Sequence, residues 1–142
     1  MNINQNFGVA LHVLTYLSFM ESDFITSNDL ADSINTNPVI VRIIAKKLAN
    51  NGLVEIKRGR GGYKLNKDVN DLSLYDVYVA IYDNQIFRTK HSPNVNCPLG
   101  AKMTSAIDCV LDGASSEVEE LLKKYHISDI KNNILNKGEI KK

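Results

Sequence analysis

The stretch that decides the fold is NPVIVRIIAKKLANNGLVEIKRGRGGYKL, Asn37 to Leu65. Asn37 before Pro38 reads as a helix start: the asparagine oxygen caps the first turn, and proline's fixed φ and missing N–H suit the first helical position. Val41, Ile44, Ala45 and Leu48 then recur at helical spacing as an inward stripe, and Gly52 closes the helix in a left-handed conformation. The opposite side presents Val39, Arg42, Ile43, Lys46 and Asn50. Two cations, an amide and two branched apolar groups suit the phosphates, base edges and thymine methyls of a major groove. A merely solvated face has no use for Val39 and Ile43 together.

After this helix, Leu53 to Ile56 and Tyr63 to Leu65 are short β-prone runs joined by a tip rich in glycine and arginine. A surface hairpin needs only an Asn-Gly or Asp-Gly pair, whereas repeated glycine costs chain entropy and paired arginines repel. The tip therefore reads as a wing. Arg58 or Arg60 is placed to enter a narrow minor groove, while Gly59, Gly61 and Gly62 let backbone approach phosphate. An RGG-type RNA-binding segment is the competing reading, but such segments are repeated and disordered, and this one occurs once between strands.

On the N-terminal side, Thr26 and Asp29 have capping-box spacing, and Leu30, Ala31 and Ile34 point a short helix inward. Asn35-Thr36-Asn37 is the turn, completing a helix-turn-helix. Asn4 to Met20 reads as a first helix with two apolar lines, Phe7, Ala10, Leu11, Leu14 and Leu17 on one side and Val9, Val13, Tyr16 and Met20 on another. On the C-terminal side, Ser73 and Asp76 open a helix through Val77, Tyr78 and Ile81. Asn84 to Gly100, with Pro93 and Pro98, reads as an irregular connector.

From Ala101 to Tyr125 one apolar stripe runs through Met103, Ile107, Val110, Leu111, Ala114, Val118, Leu121, Leu122 and Tyr125. Such a helix is about 35 Å long, more than one small domain covers. Its expected partner is a second copy of the chain, with Val9, Val13, Val110, Leu111, Val118, Leu121 and Leu122 at the interface. Lys131 to Lys142 reads as a short helix or frayed tail.

The expected fold is mostly α with a small β-hairpin wing. A winged helix-turn-helix domain spans 1–83, a connector or sensor loop 84–100, and a dimerisation helix with its tail 101–142. At 142 residues, 44% hydrophobic and 23% charged, the chain fits an ordinary globular domain. No apolar run is long enough to span a membrane, no signal-type segment opens the sequence, and two cysteines are too few for a disulfide framework; a cytoplasmic protein with free thiols is expected. Net charge is +1, but residues 36 to 67 hold eight Lys or Arg against one acid, Glu55. That segment carries +7 and the remainder −6, the footprint of localised anion binding.

The recognition stretch, the following LSLYDVYVAI and HSPNVNCPLG (His91 to Gly100) together resemble the Rrf2 family of bacterial winged-helix regulators, in its YwnA-like branch. The resemblance covers about Phe7 to Ile130. It implies a homodimeric transcription factor, usually a repressor, on a palindromic double-stranded DNA operator. By matching position it implies DNA contacts from Arg42 and Lys46 on the recognition helix and from Arg58, Gly59, Arg60, Gly61 and Gly62 in the wing; the outward face read above adds Val39, Ile43 and Asn50, and Asn37 at the helix start completes the expected DNA-binding set. A small-molecule or protein corepressor is left open.

Cluster-binding members of the family carry three closely spaced cysteines. Here eleven residues separate Cys97 from Cys109, Met103 among them, so neither an iron–sulfur cluster nor another metal is expected, although His91, Asp108 and His126 are available as donors in principle. Cys97, before Pro98 at the entrance of the long helix, is the expected redox-sensing thiol, with Cys109 secondary; the competing reading makes both inert fillers. No catalytic set is visible. His12 and His126 read as structural histidines, and the chain is not expected to be an enzyme. A winged-helix adaptor acting by protein contact is the alternative to a DNA-binding regulator.

Overall fold

In a computed structural model the structure describes residues 3–59, 61–82 and 92–137. The elements are α1 (Ile3–Phe19), α2 (Ser27–Ile34), α3 (Pro38–Asn50), β1 (Val54–Lys57), β2 (Gly62–Leu65), α4 (Leu74–Tyr82), α5 (Gly100–Leu122) and α6 (Ile127–Asn136). The result is the expected class: mostly helical, one antiparallel hairpin, and a long helix of 23 residues near the C-terminus.

Local chemistry sets the boundaries. The Thr26 side chain accepts the Asp29 N–H at the start of α2, and Asn35 ends that helix in the left-handed region. Asn37 Oδ1 accepts the Val39 N–H at 2.8 Å, with Pro38 in the first turn. The other end of α3 is a Schellman closure: the Gly52 N–H donates to Ala49 and the Leu53 N–H to Leu48, while Gly52 takes φ 76°. Leu53 is thus used in ending the helix, and β1 starts one residue later than its β-prone run suggests. Ser73 and Asp76 form a full capping box, each side chain accepting the other's N–H at 3.1 Å.

The core gathers Leu14 and Leu17 of α1, Leu30 of α2, Ile44 and Leu48 of α3, Leu72, and Val77 and Tyr78 of α4, all essentially without exposure. Val9 and Val13 belong to this core as well, at 5% and 0% exposed. This corrects their expected place at an interface between copies. Packing α1 on α3 and α4 uses that side of the helix inside the chain's own fold.

The hairpin pairs Val54 with Leu65 through Lys57 with Gly62. A third segment joins it: Ile25 and Tyr63 form an antiparallel bridge. Beyond α5 the chain turns at Lys123 to Tyr125 and returns, so α5 ends earlier than its apolar stripe. α6 packs against α1 with Ile127 fully buried in the core. Lys131, at the start of the stretch expected as a short helix or frayed tail, lies in α6 and is buried: its Nζ donates to the Ser18 carbonyl at 2.9 Å and lies 5.1 Å above the Phe19 ring. Residues 138–142 lie outside the described residues.

Candidate nucleic-acid interface

The inward and outward faces of α3 separate as its periodicity requires. Val41, Ile44, Ala45 and Leu48 are fully buried, whereas Arg42, Ile43, Lys46 and Asn50 are exposed together with Val39. Val39 and Ile43 keep 51% and 47% of their surface in solvent although each could have been polar at no packing cost. The Asn37 oxygen is committed to its cap, leaving only its amide group for another partner.

Helix and wing meet in one concavity of about 610 Å³, lined by Arg42 from α3, Ile56 to Gly59 from the hairpin, Tyr63 from β2, and Thr26 to Asn28 at the start of α2. Arg42 and Arg58 therefore face a common space. Tyr63 is buried; desolvation raises the phenol pKa, and the Arg42 charge pulls it the other way. Ser27 and Asn28 are additions that helical periodicity does not flag. Their only signal is position, just after the Thr26 cap, where free N–H groups and small polar side chains favour an anion.

Lys57 and Lys64 each place their ammonium 5.6 Å from the centroid of Phe24. Gly59 has φ 77° and borders the concavity, while Gly61 packs against the Lys57 side chain. Gly62 is required by the fold itself. Its φ is 93° and a Cβ there would overlap the carbonyl of Ile25. Arg60, the other expected wing cation, lies outside the described residues, as does His91.

The two cysteines are both exposed, which removes the reading that they fill the chain's core. Cys97 sits just before α5, and its Sγ accepts the Gly100 N–H at 3.4 Å. Cys109 lies nine residues into α5, about 13 Å along the axis, so the two cannot bridge within one chain. Of the expected interface residues on α5, Val110 and Leu121 are exposed at 73% and 52%, and Leu111, Val118 and Leu122 are half-buried; no residue of α5 is fully buried.

The order of helix-turn-helix, wing and long helix is matched by the model of a family described as Rrf2, an iron-dependent transcriptional regulator, over residues 3–133. The chain belongs to the Rrf2 family. It is 33% identical over 133 residues to the candidate HTH-type transcriptional regulator YwnA of Bacillus subtilis (strain 168), covering 93% of this chain and 98% of YwnA. A solved structure of a candidate DNA-binding protein matches at 31% identity and TM-score 0.70, covering 88% of this chain and 97% of the other. CymR (YrzC), the global cysteine regulator of B. subtilis, shares the fold at TM-score 0.66 and 16% identity over 93% of this chain and 97% of its own.

This Rrf2 protein is accordingly a transcriptional regulator of the DNA-binding type, not an enzyme. Among the described residues no three His, Cys, Asp or Glu side chains converge on one point, and the chain has two cysteines. No helix among them is long and apolar enough to cross a membrane.

Proposed function

We propose that this protein is a cytoplasmic, homodimeric repressor that binds a palindromic operator. The observation that carries the reading is the shared concavity: Arg42 of α3 and Arg58 of the wing face one space, beside an exposed Val39, Ile43, Lys46 row. α3 in the major groove would read bases with Arg42, Lys46 and Asn50 and meet thymine methyls with Val39 and Ile43. Asn37, Gly59, Arg60, Gly61 and Gly62 complete the proposed DNA surface. Tyr63, Ser27 and Asn28 flank the path of a phosphate between wing and α2.

Dimerisation is supported by α5, about 34 Å of helix with Val110 and Leu121 open to solvent among the described residues. Leu111, Val118 and Leu122 would widen the seam. Two-fold symmetry then repeats α3 and asks for two half-sites. Redox control is proposed at Cys97, whose exposed sulfur touches the first turn of α5; its oxidation would disturb the start of the dimerisation helix.

A gel shift of the reduced protein on its own upstream region, over a salt series, tests the reading. Sequence-specific retention that weakens steeply with salt is expected. Binding indifferent to sequence, or no retention of the upstream region or of genomic fragments, would overturn it.

A further inference from the structure

The hairpin has two faces, and the concavity with Arg42 occupies only one of them. Its register sets Ile56 and Tyr63 on the side of the concavity and Glu55, Lys57 and Lys64 on the other. On that second face stands Phe24, half-buried, from the loop between α1 and α2, with the ammonium groups of Lys57 and Lys64 each 5.6 Å from its ring centroid. Both distances are within reach of the attraction between a cation and an aromatic face.

Two features of this trio point to an anion. Neither lysine forms an ion pair among the described residues, although Glu55 is directly opposite Lys64 in the register. A carboxylate partner would cancel a cation, whereas a ring orders it and leaves its charge in place. The other feature is crowding: Lys57, Arg58 and Lys64 repel one another, which does nothing for the folded chain alone. A free lysine loses rotamer freedom when it meets a phosphate, and a side chain already held on a ring loses less.

We propose that Phe24 is a positioning residue for DNA: it holds Lys57 and Lys64 ready for the phosphates of one strand, while the concavity with Arg42 and Arg58 faces the other strand. A minor groove is about 6 Å wide, so a wing entering it has a phosphodiester strand on each side. Lys57 also borders the concavity, and the two sides meet at that residue, beside the tip. The proposal rests on the DNA-binding reading and adds a second line of phosphate contacts to it.

The test measures the full chain's affinity for a retained operator fragment over a salt series and maps the contacted phosphates on each strand by ethylation interference. Lys57→Gln with Lys64→Gln should lower the salt slope by about 2 and erase interference on one strand beside the wing, while the other strand keeps its pattern. Phe24→Leu, checked as folded by circular dichroism, should weaken binding by roughly threefold to tenfold, and Phe24→Tyr, which keeps a ring face, should bind as the parent does. In the variant lacking both lysines, Phe24→Leu should have no further effect. If Phe24→Leu does not fold, Phe24→Met takes its place. Without DNA, the ring should shift the ε-methylene protons of both lysines upfield, and loss of the ring should return them. Parental affinity in the double lysine variant, a Phe24→Leu loss that persists without the lysines, Phe24→Tyr binding as weakly as Phe24→Leu, or ε-methylene protons that ignore the ring would overturn the proposal. A parental protein that retains no operator overturns the DNA-binding reading and the proposal together, whereas full operator binding by every variant overturns the proposal alone.

Discussion

Ile25 and Tyr63 exchange two backbone hydrogen bonds, each 2.8 Å long, and so attach the wing to the loop between α1 and α2. The attachment depends on the residue beside Tyr63. Gly62 has φ 93°, and any side chain there would strike the Ile25 carbonyl. Gly62→Ala should therefore destabilise the fold by about 2 kcal/mol or more, combining a left-handed backbone with a backbone clash. The midpoint of urea unfolding at constant m-value measures it. A change within error of zero would mean that the wing has another way to sit.

Arg42→Ala and Lys46→Ala should each weaken operator binding by about 1 to 3 kcal/mol wherever the side chain makes a bidentate base contact. Arg58→Ala should instead weaken binding to every sequence alike and reduce the salt slope by about 1. Titrations at several salt concentrations on operator and scrambled DNA separate the two behaviours.

Val110→Asp with Leu121→Glu should convert the protein to a monomer with its helix content retained, because both side chains are exposed within the chain and neither supports the core. Light scattering gives the mass and circular dichroism the helicity. A dimer that survives both substitutions would place the interface elsewhere.

Lys131→Ala should cost about 1.5 to 3 kcal/mol, since a charged hydrogen bond to the Ser18 carbonyl is lost in a buried setting. Glu21→Gln should be nearly neutral. Its carboxylate is 3.7 Å from Lys131 but 74% exposed. Thermal melts of the two variants side by side check the contrast.

His12 is held below its ordinary pKa of 6.5 by burial. The unfolded chain then takes up this proton at a higher pH than the native one, so the contribution is complete above 6.5 and fades as pH falls through the native value. Stability measured from neutral pH downward should decline with a component that His12→Gln removes. An unchanged slope in the variant would assign the decline to other groups.

Much of this fold was legible because short-range chemistry and long-range packing agree along residues 26 to 65. Thr26, Asn37, Pro38 and Gly52 each mark an end, and Val41, Ile44, Ala45 and Leu48 mark the covered face. Val9 and Val13 were misplaced because periodicity shows that a helix has two apolar sides without showing which neighbour covers each. α6 was hard to see because Lys131 is a polar letter in a buried position, explained only by a carbonyl 113 residues away in sequence. The concavity escaped for the same reason. Ser27, Asn28 and Tyr63 come from separate elements, and only the Ile25 bridge brings β2 against the start of α2.

The join between the long helix and the rest of the molecule includes a main-chain part beside the Lys123 ammonium over the Tyr75 ring. The Leu74 N–H donates to the Tyr125 carbonyl and the Ile127 N–H to the Leu72 carbonyl, so the starts of α4 and α6 are stitched together where α5 ends. Bonds of this kind belong to no particular amino acid; proline at position 74 or 127 would break one, and most other replacements there would not. The exposed surface of α5 can therefore change extensively over generations while its far end stays seated, leaving a lineage free to try new companions on an old mount.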